Sequence, residues 1–215
     1  MIFRNRVEAG RLLACEVGVR LPSLGDEDSI VLGIPRGGVL VAREVAMALR
    51  APLDVFVARK LGAPDQEELG IGAVASGGTR VLDVHAIHSL GVSQEYIDAV
   101  TQRELAELER RTARFRGDRE NPSLENRAVI LVDDGLATGV TARAALIALR
   151  AKNPSRLVFA APVCSREGCA LLSTDADAVI CLSVPDRFYG VGTWYEDFDQ
   201  TSDEEVIFAL AQRQA

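Results

Sequence analysis

Residues 128–141, Ala-Val-Ile-Leu-Val-Asp-Asp-Gly-Leu-Ala-Thr-Gly-Val-Thr, decide the fold. From Ala128 to Val132 every position is apolar, with no alternation, which is how a strand reads when both faces of its sheet are covered. Val140 to Ala151 continues at helical spacing, so the stretch is a strand, a tight acidic turn and a helix. The same pattern recurs on either side. Ser29 to Ile34, Leu53 to Ala58, Arg156 to Val163 and Ala178 to Val184 are further short runs rich in Val, Ile and Leu. Gly38 to Leu49 and Arg166 to Leu172 are helical stretches between them. The expectation is an α/β fold: a doubly wound, mainly parallel sheet with helices on both faces.

The rest of the chain decorates that core. Arg6 to Arg20 reads as an amphipathic helix capped by Asn5 and packed on the core from outside. In Leu69 to Asp83, IGAVAS and TRVLD flank a Gly77-Gly78 turn, the signature of an antiparallel hairpin, here a flap. Ser93 caps a helix that stops near Gly117, and Ser202-x-x-Glu205 is a capping box that opens a last helix. Arg103 to Arg116 is dense in both signs of charge and predicts a solvated helix face, with a homodimer contact as the other reading. The expected organisation is one domain over residues 1–215, with a core at about 30–184, a flap at about 61–90 and a hood at about 185–200 plus the termini.

Composition excludes several classes. With 24 Lys and Arg against 31 Asp and Glu, the net charge of -7 has the wrong sign for a phosphate-backbone binder, so nucleic acid is not an expected partner. No apolar run approaches the ~20 residues of a membrane span. The first twenty residues lack the continuous apolar core of a signal peptide, which places the chain in the cytoplasm. Cys15, Cys164, Cys169 and Cys181 contain no C-x-x-C pair and no histidine at zinc spacing. They are expected to be free thiols, buried as small hydrophobes. His85 and His88 receive no chemical role.

In an open α/β sheet, ligands bind beyond the carboxyl ends of the strands. Asp133 and Asp134 stand at such an end, and two adjacent carboxylates there are costly unless sugar hydroxyls, Mg²⁺ or both occupy the site. Gly135 and Gly139 permit tight turns, and Thr138 and Thr141 flank the unpaired N–H groups of the incoming helix, an arrangement suited to a phosphate monoester.

VILVDDGLATGVT resembles the thirteen-residue phosphoribosyl diphosphate (PRPP) binding motif of the type I phosphoribosyltransferases, at its apolar run, both acids and the Thr-Gly-x-Thr end. The resemblance implies that Asp133 and Asp134 face the ribose hydroxyls, while Gly135, Leu136, Ala137, Thr138, Gly139, Val140 and Thr141 hold the 5′-phosphate. It also implies a diphosphate loop after the first core strand, matched by Pro35, Arg36 and Gly37 within Gly33 to Gly38. The basic residue expected after the second strand is matched by Arg59 and Lys60 of VFVARK, and a mobile flap by Leu61 to Gly78. Asp133, Asp134, Arg36 and Lys60 are the expected catalytic residues. Mg²⁺ is implied as the cofactor, carried by the substrate and reached by Asp133 or Asp134.

The reaction implied is transfer of 5-phosphoribosyl from PRPP to a nitrogenous small-molecule acceptor, releasing diphosphate. The other readings are a non-catalytic PRPP or nucleotide-binding regulator and a hydrolase of a phosphorylated sugar. The hypoxanthine and guanine members carry an acid where this chain has Ala137, so the proton-handling group is open, with Glu67 and Glu68 on the flap as candidates. Whole-chain likeness is strongest to phosphoribosyltransferase-like proteins that end in WYEDF, and it names no acceptor. Phe188, Tyr189 and Trp194 either stack on an acceptor base or cover the sheet edge. Gly33-x-x-x-x-Gly38 lacks the Lys of a Walker loop, and Gly70-x-Gly72-x-x-Ala75 follows no apolar strand.

Overall fold

The computed structural model describes residues 1–22, 29–117 and 119–212, and the backbone alone of residues 67 and 68. Asn5 accepts a hydrogen bond from the Glu8 N–H and starts α1 (Arg6–Arg20). β1 (Ser29–Gly33), α2 (Gly37–Leu49) and β2 (Leu53–Val55) form the first β-α-β unit. Then come β3 (Ala58–Ala63), β4 (Gln66–Ala75), β5 (Thr79–Leu82), α3 (Val84–Leu90) and α4 (Gln94–Arg116). The chain finishes with β6 (Ala128–Val132), α5 (Val140–Arg150), β7 (Arg156–Val163), α6 (Arg166–Leu172), β8 (Ala178–Ser183), a 3-10 turn at Val191–Trp194, and α7 (Asp203–Ala211).

The main sheet is parallel throughout, in the order β2-β1-β6-β7-β8. Its apolar runs lack alternation because both faces are dry. Val129 and Leu131 of β6 pack with Ala144, Ala145 and Leu146 of α5, while Ile130 and Val132 pack with Leu13 and Val17 of α1 and Val41 and Val45 of α2. Successive side chains of one strand thus enter opposite halves of the core. The order of strands reverses between β1 and β6, and a crevice opens there beyond their carboxyl ends. Among the described residues no helix is long and apolar enough to cross a membrane.

The second core strand is shorter than Leu53 to Ala58. β2 ends at Val55, and after a last bond from the Phe56 N–H to the Gly33 carbonyl (3.0 Å) the chain turns away. It re-forms as β3, which pairs antiparallel with β4, so the flap is a three-stranded sheet, β3-β4-β5. Arg59 and Lys60 therefore sit on the first flap strand, opposite Val74 and Ala73, and not at the tip of the parallel sheet. The apolar run VFVARK suits either sheet. What separates them is burial: Val57 and Leu61 pack with Ile71 and Val74 of the flap and with Ile97 and Val100 of α4.

α3 has no periodic signature because it is short and buries no residue; Asp83 caps it and Gly91, at φ 62°, closes it. His85 and His88 lie on it. On α4 the solvated face is present: Glu107 accepts hydrogen bonds from Arg110 and Arg111, which pull its carboxyl down to about 2. Glu104 and Arg116, by contrast, turn inward to Arg59 and Asp54.

The expectation of four free thiols is corrected. Cys164 and Cys181 form a disulfide, their Cα atoms 6.2 Å apart. Cys164 directly follows β7, and Cys181 lies on β8, where it pairs with Ala161, so adjacency in the sheet joins residues that the sequence separates by 17 positions. Cys15 is exposed on α1 instead of buried, and Cys169 is a part-buried free thiol.

Candidate active site

The tips of β1 and β6 meet at the crevice. The Ile34 N–H donates to the Val132 carbonyl (2.9 Å), which ties the Pro35-Arg36 turn to β6, and the Pro35–Arg36 peptide is cis. Gly37 and Gly38 open α2 with their backbone against the acids. A Cβ at Gly37 would lie 1.9 Å from Asp134 Oδ2, and one at Gly38 would lie 2.9 Å from Asp133 Cα. No side chain fits between the two loops.

Asp133 Oδ1 accepts from the Asp134 N–H (2.9 Å). Asp134 Oδ2 accepts from Arg6 Nε (2.8 Å), and its carbonyl accepts from the Tyr195 hydroxyl (2.6 Å). Arg6 also donates to the Asp199 carbonyl (2.8 Å) and lies 4.0 Å from the centre of the Phe198 ring, a cation-π contact. α1 thus does more than cover the core: its first residue delivers a cation to the acid pair. Burial pushes the Asp133 carboxyl well above the usual range, and repulsion from Asp134 adds to it. Burial raises Asp134 as well, while the Arg6 hydrogen bond pulls it back. The Tyr195 hydroxyl is raised by burial first and by the Asp134 charge next.

The loop after the acids is held from below. Leu136 exchanges backbone bonds with Val163 and Ser165 (both 2.8 Å), and Ser165 Oγ donates to the Ala137 carbonyl (2.5 Å). Ala137 and Thr138 are exposed, and Gly139, at φ 81°, turns the chain into α5. Gly139 offers α5 no side-chain cap, and the first N–H groups of the helix, beside Thr138 and Thr141, suit an anion. A Cβ at Gly135 would lie 2.3 Å from Val191 Cγ1, so the hood packs directly on the acidic turn.

Two cavities flank this ridge. One of about 400 Å³ gathers Pro35, Arg36, Gly37, Asp133 and Asp134 with Arg6, Phe198 and Thr201. Thr201 is 5% exposed, and its hydroxyl has no hydrogen-bond partner in the protein. The other, of about 340 Å³, gathers Arg59 and Lys60 of the flap with Thr141 and with Arg103 and Glu104 of α4. Arg59 donates to Glu104 (2.5 Å) and Arg36 lies 3.6 Å from Asp203, so each cation rests on a carboxylate. A larger cavity of about 630 Å³, between the start of β2, the end of α4 and α7, contains neither the acid pair nor the glycine loop.

Phe188 and Trp194 pack around Phe3 and Tyr195, and Tyr189 is 81% exposed. None of the three lines the acid-pair cavity, whereas Phe198 does, between Arg6 on one side and Tyr195 on the other. The side chains of Glu67 and Glu68 lie outside the described residues. Arg6, Tyr195, Phe198 and Thr201 escaped sequence reading. WYEDF marked their neighbourhood, but nothing local in Asn5-Arg6 signals a carboxylate 128 positions away.

The fold is that of the phosphoribosyl transferases, and the chain belongs to that family: the model of the phosphoribosyl transferase domain matches residues 19–199. A protein of Mycobacterium tuberculosis provisionally named a phosphoribosyl transferase is 45% identical over 209 residues. That match takes in 97% of this chain and 46% of the relative, so the chain spans about half of the relative's length. The crystal structure of TT1426 from Thermus thermophilus superposes with a TM-score of 0.83 at 41% identity, with all of both chains covered. The AQ2163 protein of Aquifex aeolicus shares the fold at a TM-score of 0.53 and 14% identity, over 87% of this chain and 78% of its own.

Two outcomes are expected from this geometry. Gly37→Ala drives a methyl group into the Asp134 carboxylate and costs about 1–3 kcal/mol in urea unfolding; an unchanged midpoint would show that the two loops are not in contact. Asp133 has a folded pKa raised above the ordinary 3.8, so its ionisation destabilises the ligand-free fold as pH rises through that raised value. Asp133→Asn should therefore melt at higher temperature than the parent at pH 8, and this advantage should vanish below about pH 3.8, where the carboxyl is protonated in both states.

Proposed function

We propose that this chain transfers the 5-phosphoribosyl group of PRPP to a nitrogenous acceptor in the cytoplasm, its core, flap and hood working as one domain. The observation that carries the reading is the convergence of Pro35-Arg36-Gly37 and Asp133-Asp134 in one cavity at the strand-order reversal, with the uncapped start of α5 beside it. In this reading Asp133 and Asp134 accept hydrogen bonds from the ribose 2′- and 3′-hydroxyls. Residues 135–141 take the 5′-phosphate on backbone N–H groups and on Thr138 and Thr141. The amides after Pro35 meet the diphosphate.

The chemistry is a displacement at ribose C1. The C1–O bond to diphosphate breaks, its electron pair leaves with the diphosphate, and the lone pair of the acceptor nitrogen forms the new C1–N bond. The carboxylates favour the positive character that C1 gains, and Arg36, Arg59 and Lys60 offset the charge on the leaving group. Arg36 and Arg59, held by Asp203 and Glu104, exchange those carboxylates for phosphate oxygens as the flap closes and excludes water. The hard oxygen donors of the acid pair fit Mg²⁺ carried by PRPP, with Asp133 or Asp134 as its protein contact. Bound with PRPP, Mg²⁺ supplies charge neutralisation at the diphosphate and the ribose hydroxyls. The unpartnered Thr201 hydroxyl, in the same cavity as the acid pair, is a recognition group for the acceptor.

The test combines protein, PRPP and Mg²⁺ with a panel of nitrogenous bases and follows diphosphate release. Release that requires one acceptor class is expected. Asp133→Asn and Asp134→Asn should each weaken PRPP binding at least tenfold, about 1.4 kcal/mol. PRPP binding with no turnover across the panel would turn the reading to a regulator, and unchanged PRPP affinity in both variants would overturn the site.

A further inference from the structure

Beneath the loop assigned to the 5′-phosphate, three cysteines stand together. Cys164, fully buried at the end of β7, is bonded to Cys181 of β8. Cys169, in the first turn and a half of α6, keeps its thiol with Sγ 3.6 Å from Cys181 Sγ, and the three sulfurs all lie within 4.8 Å of one another. A thiol this close to a disulfide sulfur exchanges with it once its Sγ swings toward the line of the Cys164–Cys181 bond.

The same residues support the loop. Leu136 forms a bridge with Cys164, Ser165 holds Leu136 and Ala137, and Gly168 packs under both. A Cβ at Gly168 would lie 2.7 Å from the Ala137 carbonyl and 3.0 Å from Leu136 Cδ2, so α6 has no slack against the loop.

We propose that Cys164, Cys169 and Cys181 are a thiol–disulfide switch that sets the position of the 136–139 loop. The Cys169 thiolate attacks Cys181 Sγ, the Cys169–Cys181 bond forms, the Cys164–Cys181 bond breaks, and Cys164 leaves as a thiolate that takes up a proton from solvent, replacing the one Cys169 released. One disulfide replaces another, so the exchange consumes no oxidant; a dithiol reductant opens either form. Closing 3.6 Å to a bond of about 2.05 Å draws Cys169 roughly 1.5 Å toward β8, and Gly168 and Ser165 carry the loop with it. Burial holds the Cys169 thiol above its ordinary value, so exchange accelerates with pH. The consequence for PRPP rests on the function proposed above; the exchange itself does not.

The experiment compares the full chain with Cys164→Ala and Cys169→Ala in a glutathione redox buffer, with acid quench and disulfide mapping by mass spectrometry. Cys164→Ala is expected to hold the 169–181 bond and Cys169→Ala the 164–181 bond. In the parent chain, alkylation after a pH 8 incubation should label Cys164 as well as Cys169, at a rate about tenfold higher than at pH 7. Amide exchange of residues 136–139 should be several-fold faster in Cys164→Ala than in Cys169→Ala, and PRPP should bind the former about 3–10-fold more weakly. Free thiols at both Cys169 and Cys181 in Cys164→Ala, labelling of Cys169 without Cys164 in the parent, equal amide exchange in the two variants, or a stoichiometric metal ion on the three thiolates of Cys164, Cys169 and Cys181 would each overturn the switch. The parent-chain labelling decides the matter if Cys164→Ala does not fold. Should no form bind PRPP while mapping and amide exchange come out as expected, the proposed function fails and the switch stands.

Discussion

Two carboxylates at the end of one buried strand repel each other and lose much of their water, and β6 itself supplies nothing to offset this. The rest of the crevice is built around that constraint. Backbone, in place of side chains, approaches them from β1, because Gly37 and Gly38 leave their faces bare. The Asp133 carboxylate takes an amide from its own turn, and Asp134 takes a guanidinium from α1. What remains open is a polar cavity whose acids are raised by burial and compensated on one side only. Such a place is stabilised by hydroxyl or cation ligands and penalised without them, which is why the acids read as a site and not as an accident of the turn.

The net charge of -7 says little about this crevice. Arg6, Arg36, Arg59 and Lys60 all line the cavities about the acid pair and the flap, and Arg6, Arg36 and Arg59 are held there by Asp134, Asp203 and Glu104. An anionic substrate has to compete with these partners. Under the function proposed above, such competition lowers affinity and favours a ligand with more than one phosphate, since a single charge gains little by displacing an ion pair.

The parallel core was legible because dryness on both faces leaves an unmistakable trace: β6 and β7 run from Ala128 to Val132 and from Arg156 to Val163, the limits their apolar runs predict. Caps were legible for a similar reason, since Asn5, Ser93 and Ser202 each satisfy an N–H that must be satisfied locally. The acidic turn and the glycine loop belong to that class too. The departure of β3 from the core was hidden, because Val57 and Leu61 are as apolar under a flap as they would be in a parallel sheet. The disulfide and the Arg6–Asp134 pair were hidden more deeply. Both join residues far apart in the chain, and no spacing rule connects positions that only the completed sheet brings side by side. Phe188, Tyr189 and Trp194 drew notice as a cluster of rings, yet the ring that faces the acids is Phe198, chosen by the path of the chain after the 3-10 turn.

The backbone of Phe3 bonds to Trp194 and Glu196, and three residues later Arg6 reaches Asp134 and Asp199. Residues 3–6 and 194–199 are thus tied together beside the acid pair. During synthesis the parallel sheet can close with α1 upon it once β8 has emerged, while Arg6 still lacks the Asp199 carbonyl and the Phe198 ring that hold it from the other side. Residues 194–199 thus hold, across as many as 193 positions, the cation that Arg6 brings to the crevice. The crevice therefore depends on a long-range closure made after the sheet, and a polypeptide interrupted before residue 194 holds a sheet but not the contacts that fix Arg6 beside the acids.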